Sequence, residues 1–76
     1  MAESLENLIN ELLQRRHLKS RENLAEGVHL RLDLGLDSLD LAVLAIRIQE
    51  VFKVNIYASG NPQTFGEIKA LLNVSN

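Results

Sequence analysis

Seventy-six residues leave room for one small domain, taken here as residues 1–76. The chain is 46% hydrophobic and 24% charged with a formal net charge of −2, which excludes a disordered tail and a strongly basic nucleic-acid binder. Cysteine is absent, so neither a disulfide nor a thiolate metal site can support the fold, and stability must come from packing fifteen leucines and three aromatics, Phe52, Tyr57 and Phe65.

The first segment carries a helical stripe. Leu5, Leu8, Ile9, Leu12 and Leu13 recur at helical spacing, with Ser4 placed as the N-cap. Glu6 and Glu11 lie toward the positive end of the helix dipole, and Arg15, Arg16, His17 and Lys19 toward the negative end. The helix is expected to stop between Arg16 and Ser20. No apolar run approaches the about 20 residues that span a bilayer. Met1-Ala2-Glu3-Ser4 leads into this charged amphipathic pattern rather than a signal core, so the expected location is the cytoplasm.

Residues 20–36 form a long connection containing Gly27 and Gly35. Leu30, Leu32, Leu34 and Leu36 alternate like a half-buried strand, for which Val54 and Ile56 could supply a partner. Gly35 interrupts that run, and a lone two-stranded sheet is marginal, so an extended loop dropping its leucines into a helical core is preferred.

The central helix runs from residue 38 to about 53. Leu41, Leu44, Ala45, Ile48 and Phe52 form its core stripe, widened by Leu39, Ala42, Val43 and Ile46. Asp37 caps it and Asp40 favours the same end. Residues 55–63 include the turn cluster Ser59-Gly60-Asn61-Pro62, with one short irregular helical turn expected there. The last helix opens on a capping box, Thr64 with Glu67 three residues on, and buries Phe65, Ile68, Leu71 and Leu72. The expected fold is all-α: a small four-helix bundle, three main helices and one short helix, with a long loop after the first.

The chemistry concentrates in Asp33-Leu34-Gly35-Leu36-Asp37-Ser38-Leu39-Asp40. Ser38 falls at a loop-to-helix junction, where the first backbone N–H groups lack intrahelical partners and the dipole is positive. A phosphate ester on that serine would be well accommodated, and Gly35 lets the chain turn closely beforehand. The same serine could equally serve as an ordinary first-turn residue.

This motif, near the middle of a chain of carrier length, resembles that of the acyl carrier protein family and its peptidyl-carrier relatives. A leucine-striped helix precedes it across a long loop, a helix ending in Val51-Phe52 follows it, and the capped helix near Thr64 corresponds to the family's last. The resemblance implies that Ser38 receives 4′-phosphopantetheine from coenzyme A through a phosphopantetheinyl transferase, with Asp33, Gly35, Asp37, Leu39 and Asp40 as flanking motif residues. The terminal thiol of that arm would carry acyl groups as thioesters. The chain would then be a monomeric carrier rather than an enzyme, serving acyl-transferring, ligase or synthase enzymes of a fatty-acid, polyketide or other specialised acyl pathway.

Partners would dock on the outward face of the central helix, through Leu39, Val43, Ile46, Arg47 and Glu50. The family usually makes that face acidic, whereas this chain places Val43, Gln49 and Val51 where acids are usual and adds Arg47. Two readings stand: a dedicated carrier with a more apolar docking face, or valines that simply pack on a neighbouring short helix. The leucine-rich core could also shelter an acyl chain, or be core alone.

Rival constellations are weak. His17 and His29 stand twelve residues apart with no cysteine or carboxylate at zinc-ligand spacing. Ser38, His29 and Asp33 are the residue types of a hydrolase triad, without a nucleophile elbow. Arg15, Arg16, Lys19 and Arg21 are better read as a solvated helix end than as a nucleic-acid surface. The remaining rival is a carrier-like interaction bundle without the prosthetic group.

Overall fold

The computed structural model describes residues 4–58 and 60–74. Three helices follow one another: α1 (Leu5–Arg15), α2 (Ser38–Phe52) and α3 (Phe65–Val74). Among the described residues there is no strand, and the only β-type pairing is an isolated bridge between His29 and Thr64.

Each helix is delimited by local chemistry. Ser4 Oγ accepts the Asn7 N–H at 3.1 Å to open α1, satisfying one of its orphan donors. The other end closes in a Schellman arrangement, with His17 left-handed at φ 59°. There the Leu18 N–H reaches the Leu13 carbonyl at 2.7 Å and the His17 N–H reaches that of Gln14 at 3.0 Å. The helix ends at Arg15 with Arg16 as cap, just short of the expected window from Arg16 to Ser20. Asp37 and Asp40 make a reciprocal capping box at the start of α2, and left-handed Lys53 ends that helix.

The core is aliphatic and continuous. Leu5, Leu8, Ile9, Leu12 and Leu13 of α1 pack with Leu44 and Ile48 of α2 and with Phe65, Ile68 and Leu72 of α3. Leu41, Ala45 and Phe52 of the central stripe are half-buried against this cluster. A fully buried leucine or isoleucine contributes about 1.5–3 kcal/mol, so these positions supply what cysteine cannot.

The connection between α1 and α2 is an ordered loop, as preferred over the two-stranded alternative. Leu30, Leu34 and Leu36 are buried, but Leu32 is 82% exposed, so the alternation is not that of a strand. The cause is a turn built on two side chains. His29 Nδ1 accepts the N–H groups of Arg31 and Leu32 at 3.2 and 3.1 Å, and Asp33 Oδ2 accepts the His29 N–H at 2.7 Å. The loop's first part is fixed to α1. The Asn10 amide bonds both the N–H and the carbonyl of Arg21, and Glu6 accepts the Leu24 N–H.

Its second part holds α3. All four N-terminal donors of that helix are satisfied: Phe65 by the Val28 carbonyl, Gly66 by the Glu26 carbonyl, Glu67 by Thr64 Oγ1, and Ile68 by the Thr64 carbonyl. The expected capping box is complete, since Glu67 Oε1 accepts the Thr64 N–H at 3.1 Å.

The expected short helix in residues 55–63 is not formed by the described residues, which make turns instead. Asn55 Oδ1 captures the Tyr57 N–H at 3.0 Å and its carbonyl captures that of Ala58, an Asx-type turn that competes with helix. Pro62 disfavours a helical Asn61 before it.

Candidate functional site

Ser38 is the first residue of α2 and is exposed. Its hydroxyl makes no hydrogen bond among the described residues, and neither do the backbone N–H groups of Ser38 and Leu39. An accessible nucleophilic oxygen therefore stands beside two unsatisfied donors at the positive end of a fifteen-residue helix. The residues before it set this geometry. Gly35 has φ +84°, a region that disfavours any Cβ, and Asp33 is committed to the His29 turn.

The flanking acids are anchored rather than free. Asp37 Oδ1 accepts the Asp40 N–H at 2.9 Å, and Asp40 Oδ2 accepts the Asp37 N–H at 3.1 Å. Arg16 Nη1 lies between the two carboxylates, 3.0 Å from Asp37 Oδ2 and 2.6 Å from Asp40 Oδ2. The Asp40 backbone N–H and then the Arg16 guanidinium lower the Asp37 pKa from the ordinary 3.8 to about 2. The Arg16 pKa is raised in turn, foremost by its hydrogen bond to Asp37.

From sequence, Arg16 reads as a dipole cation in a solvated helix end, not as a partner of Asp37 and Asp40. Its partners lie twenty-one and twenty-four residues away, and only the packing of α1 on α2 brings them together. The usable signal was an uncompensated acidic pair at one helix start and a basic cluster at another helix end.

The residues expected to dock partners fall into two groups. Leu39 and Ile46 are 73% and 59% exposed, and Glu50 is exposed as well. Val43 is half-buried against the core, and Arg47 turns toward α1, its Nη2 3.3 Å from Glu11 Oε2. Arg47 Nε is buried without a hydrogen-bond partner. Val51 is exposed rather than packed beneath a neighbouring helix.

A groove of about 190 Å³ opens beside Ser38. It is lined by Ser38 and Leu41 of α2, by Arg31 of the long loop, and by Tyr57, Asn61, Pro62 and Gln63 of the segment between α2 and α3. A second cleft, of about 310 Å³ and lined in part by Ile56, Ala70 and Leu71, shares Asn61 and Pro62 with the first.

The rival constellations do not assemble. His29 Nε2 pairs with Gln63 Oε1 at 2.9 Å and Nδ1 is occupied by backbone N–H groups, so His29 has no lone pair directed at Ser38. No cluster of three His, Asp or Glu side chains suited to a metal occurs among the described residues. No helix among them is long and apolar enough to cross a membrane. In the basic cluster, Arg21 donates to the Asp33 carbonyl and Arg16 holds the acidic pair.

The family model described as phosphopantetheine attachment site matches residues 3–59. Comparisons with curated proteins and with solved structures returned no match. The match spans well over half of the 76 residues, and the chain belongs to this family of phosphopantetheine-carrying domains. The family's site holds 4′-phosphopantetheine covalently, and its carrier domains are not themselves catalytic. The residues present fit that group: an exposed hydroxyl to esterify, two free N–H donors for phosphate oxygens, and an adjoining groove.

Proposed function

We propose that the chain is an acyl carrier protein in which Ser38 bears the 4′-phosphopantetheine arm, and that residues 1–76 act as one cytoplasmic, monomeric carrier domain. The observation that supports this assignment best is the exposed, unbonded Ser38 hydroxyl at the start of α2, inside the matched residues. In the loading step, Ser38 Oγ bonds to the pantetheine-side phosphorus of coenzyme A as the pyrophosphate bridge breaks. Adenosine 3′,5′-bisphosphate leaves and the serine proton passes to the transferase. The arm's thiol then carries acyl groups as thioesters, and tethering raises their effective concentration at each partner enzyme.

The partner face in this reading is the exposed side of α2, with Leu39, Ile46 and Glu50 foremost and Val43 and Arg47 at its margin. Its apolar character favours a carrier dedicated to one specialised acyl pathway over general fatty-acid synthesis. Asp37 and Asp40, held by Arg16, offer a partner less negative charge than two free carboxylates would.

The test is intact-mass measurement of the apo protein after incubation with coenzyme A, Mg²⁺ and a broad-specificity phosphopantetheinyl transferase. One phosphopantetheine addition, abolished in Ser38→Ala, is the expected result. No addition with several transferases would instead favour an interaction bundle that has lost the modification.

A further inference from the structure

Among the described residues, Arg31 is the one in the lining of the Ser38 groove that carries a positive charge. Its backbone is fixed on both sides: the N–H donates to His29 Nδ1 at 3.2 Å, and the carbonyl accepts the Gly35 N–H at 3.1 Å. The nearby acid, Asp33, is occupied by the His29 N–H. The Arg31 guanidinium is exposed and makes no ion pair or hydrogen bond among the described residues. By contrast, Arg16, Arg21 and Arg47 are each engaged elsewhere. An unpaired arginine side chain thus belongs to the lining of the same groove as Ser38.

The chemistry of that juxtaposition is that of a phosphodiester site. An ester on Ser38 places a permanent negative charge beside Asp37 and Asp40, whose carboxylates oppose it even when shared with Arg16. The α2 donors offset part of that repulsion from one side. Arg31, in the lining of the same groove, is a planar, always-charged donor suited to phosphate oxygens. Beyond it, Asn61 and Gln63 carry side-chain amides, and Leu41 and Tyr57 apolar surface, matching the amide-and-methyl chemistry of a pantetheine chain.

We propose that Arg31 is the counter-ion of the Ser38 phosphodiester and a positioning residue that turns the arm into the groove toward Asn61 and Gln63. This rests on the carrier reading. It adds to that reading a direction for the arm and the residue of this chain that sets it. Because the pair is exposed, it biases the arm's position rather than locking it.

The experiment compares amide and arginine side-chain NMR spectra of the apo and phosphopantetheinylated protein, wild type and Arg31→Gln, each loading verified by intact mass. In wild type, loading is expected to shift the Arg31 Nε–Hε resonance and the amides of Tyr57, Asn61 and Gln63. In Arg31→Gln those three amide shifts are expected to shrink roughly twofold to fivefold, the change in occupancy an exposed charge pair supports. The Ser38 and Leu39 shifts persist, and Arg31→Lys restores part of the effect. Raising the salt should reproduce the loss in wild type.

Loading-induced shifts confined to residues 36–40, or identical in wild type and Arg31→Gln, overturn the proposal while leaving the carrier reading intact. Slower loading of Arg31→Gln with unchanged holo spectra also overturns it, since Arg31 would then be contacting the transferase. Absence of any mass gain removes the carrier reading and this inference with it.

Discussion

Arg16 Nη1 stands 3.0 Å from Asp37 Oδ2, so the last turn of α1 is fastened to the residue immediately before Ser38. The same nitrogen reaches Asp40 at 2.6 Å, which makes one cation the shared partner of both members of the α2 capping box. Exposed pairs of this kind contribute little by themselves, but here the cation also offsets the negative charge presented beside Ser38.

The pH dependence follows from the lowered Asp37 pKa. A carboxyl depressed from 3.8 to about 2 on folding adds stability that is complete above 3.8 and is lost as pH falls through 2. Glu67, lowered by the N–H of Gln63 and by both donors of Thr64, acts in the same direction at the start of α3. Carboxyl-detected NMR titration should therefore find Asp37 ionised well below the ordinary range. In Arg16→Gln its midpoint should rise, though not fully to 3.8, because the Asp40 N–H remains.

Gly66 tests the attachment of α3. In a solvent-facing helix, glycine to alanine gains about 1 kcal/mol. Here a Cβ would lie 2.7 Å from Glu26 Cβ and 2.8 Å from the Glu26 carbonyl oxygen. Gly66→Ala should therefore destabilise, by about 1–3 kcal/mol in urea unfolding, as overpacking forces the loop away. An unchanged or raised midpoint would show that the loop yields freely.

The four alternating leucines separate on truncation. Leu30→Ala removes a fully buried side chain and should cost about 2–5 kcal/mol. Leu32→Ala, at an 82% exposed position, should change stability by less than about 0.5 kcal/mol. Equal costs at the two positions would contradict the His29 turn.

Docking can be checked with a ketosynthase of general fatty-acid synthesis. The holo protein should bind it weakly and with little dependence on salt, because the exposed side of α2 presents Leu39 and Ile46 rather than a row of acids. Tight, salt-sensitive binding would remove the case for a dedicated pathway. For a cognate partner, Ile46→Ala should weaken binding without altering the unfolding midpoint by more than about 0.5 kcal/mol.

The helices were legible in the sequence because their signals are local. The stripe from Leu5 to Leu13, the Asp37 cap and the Thr64–Glu67 box each lie within a few residues of the feature they specify. The family was legible because the motif around Ser38 is contiguous. The loop was not, since the burial of Leu30 and exposure of Leu32 depend on a histidine ring accepting two backbone donors, which no periodicity encodes. Residues 55–63 show only turns among the described residues, where the Asn55 side chain and carbonyl hold the Tyr57 and Ala58 N–H groups and no further helical bonds follow. The pairing of Arg16 with Asp37 and Asp40, and the place of Arg31 in the Ser38 groove, were not legible because they join parts of the chain distant in sequence.

The fastening of α3 to the loop divides the molecule along a seam. On one side, α1 and α2 are joined by Arg16 to Asp37 and Asp40 and by Arg47 to Glu11. On the other, Glu26, Val28 and Leu30 are stitched by backbone bonds to Gly66, Phe65 and Gln63. The Ser38 groove runs along this seam, and among the described residues no hydrogen bond joins Ser38 or Leu41 to its far side. Away from the groove the halves stay joined, by Asn10 to Arg21, by Glu6 to Leu24 and by the Leu36 N–H to the Leu30 carbonyl. Widening confined to the groove would therefore break no hydrogen bond between its walls, while the rest of the seam stays tied.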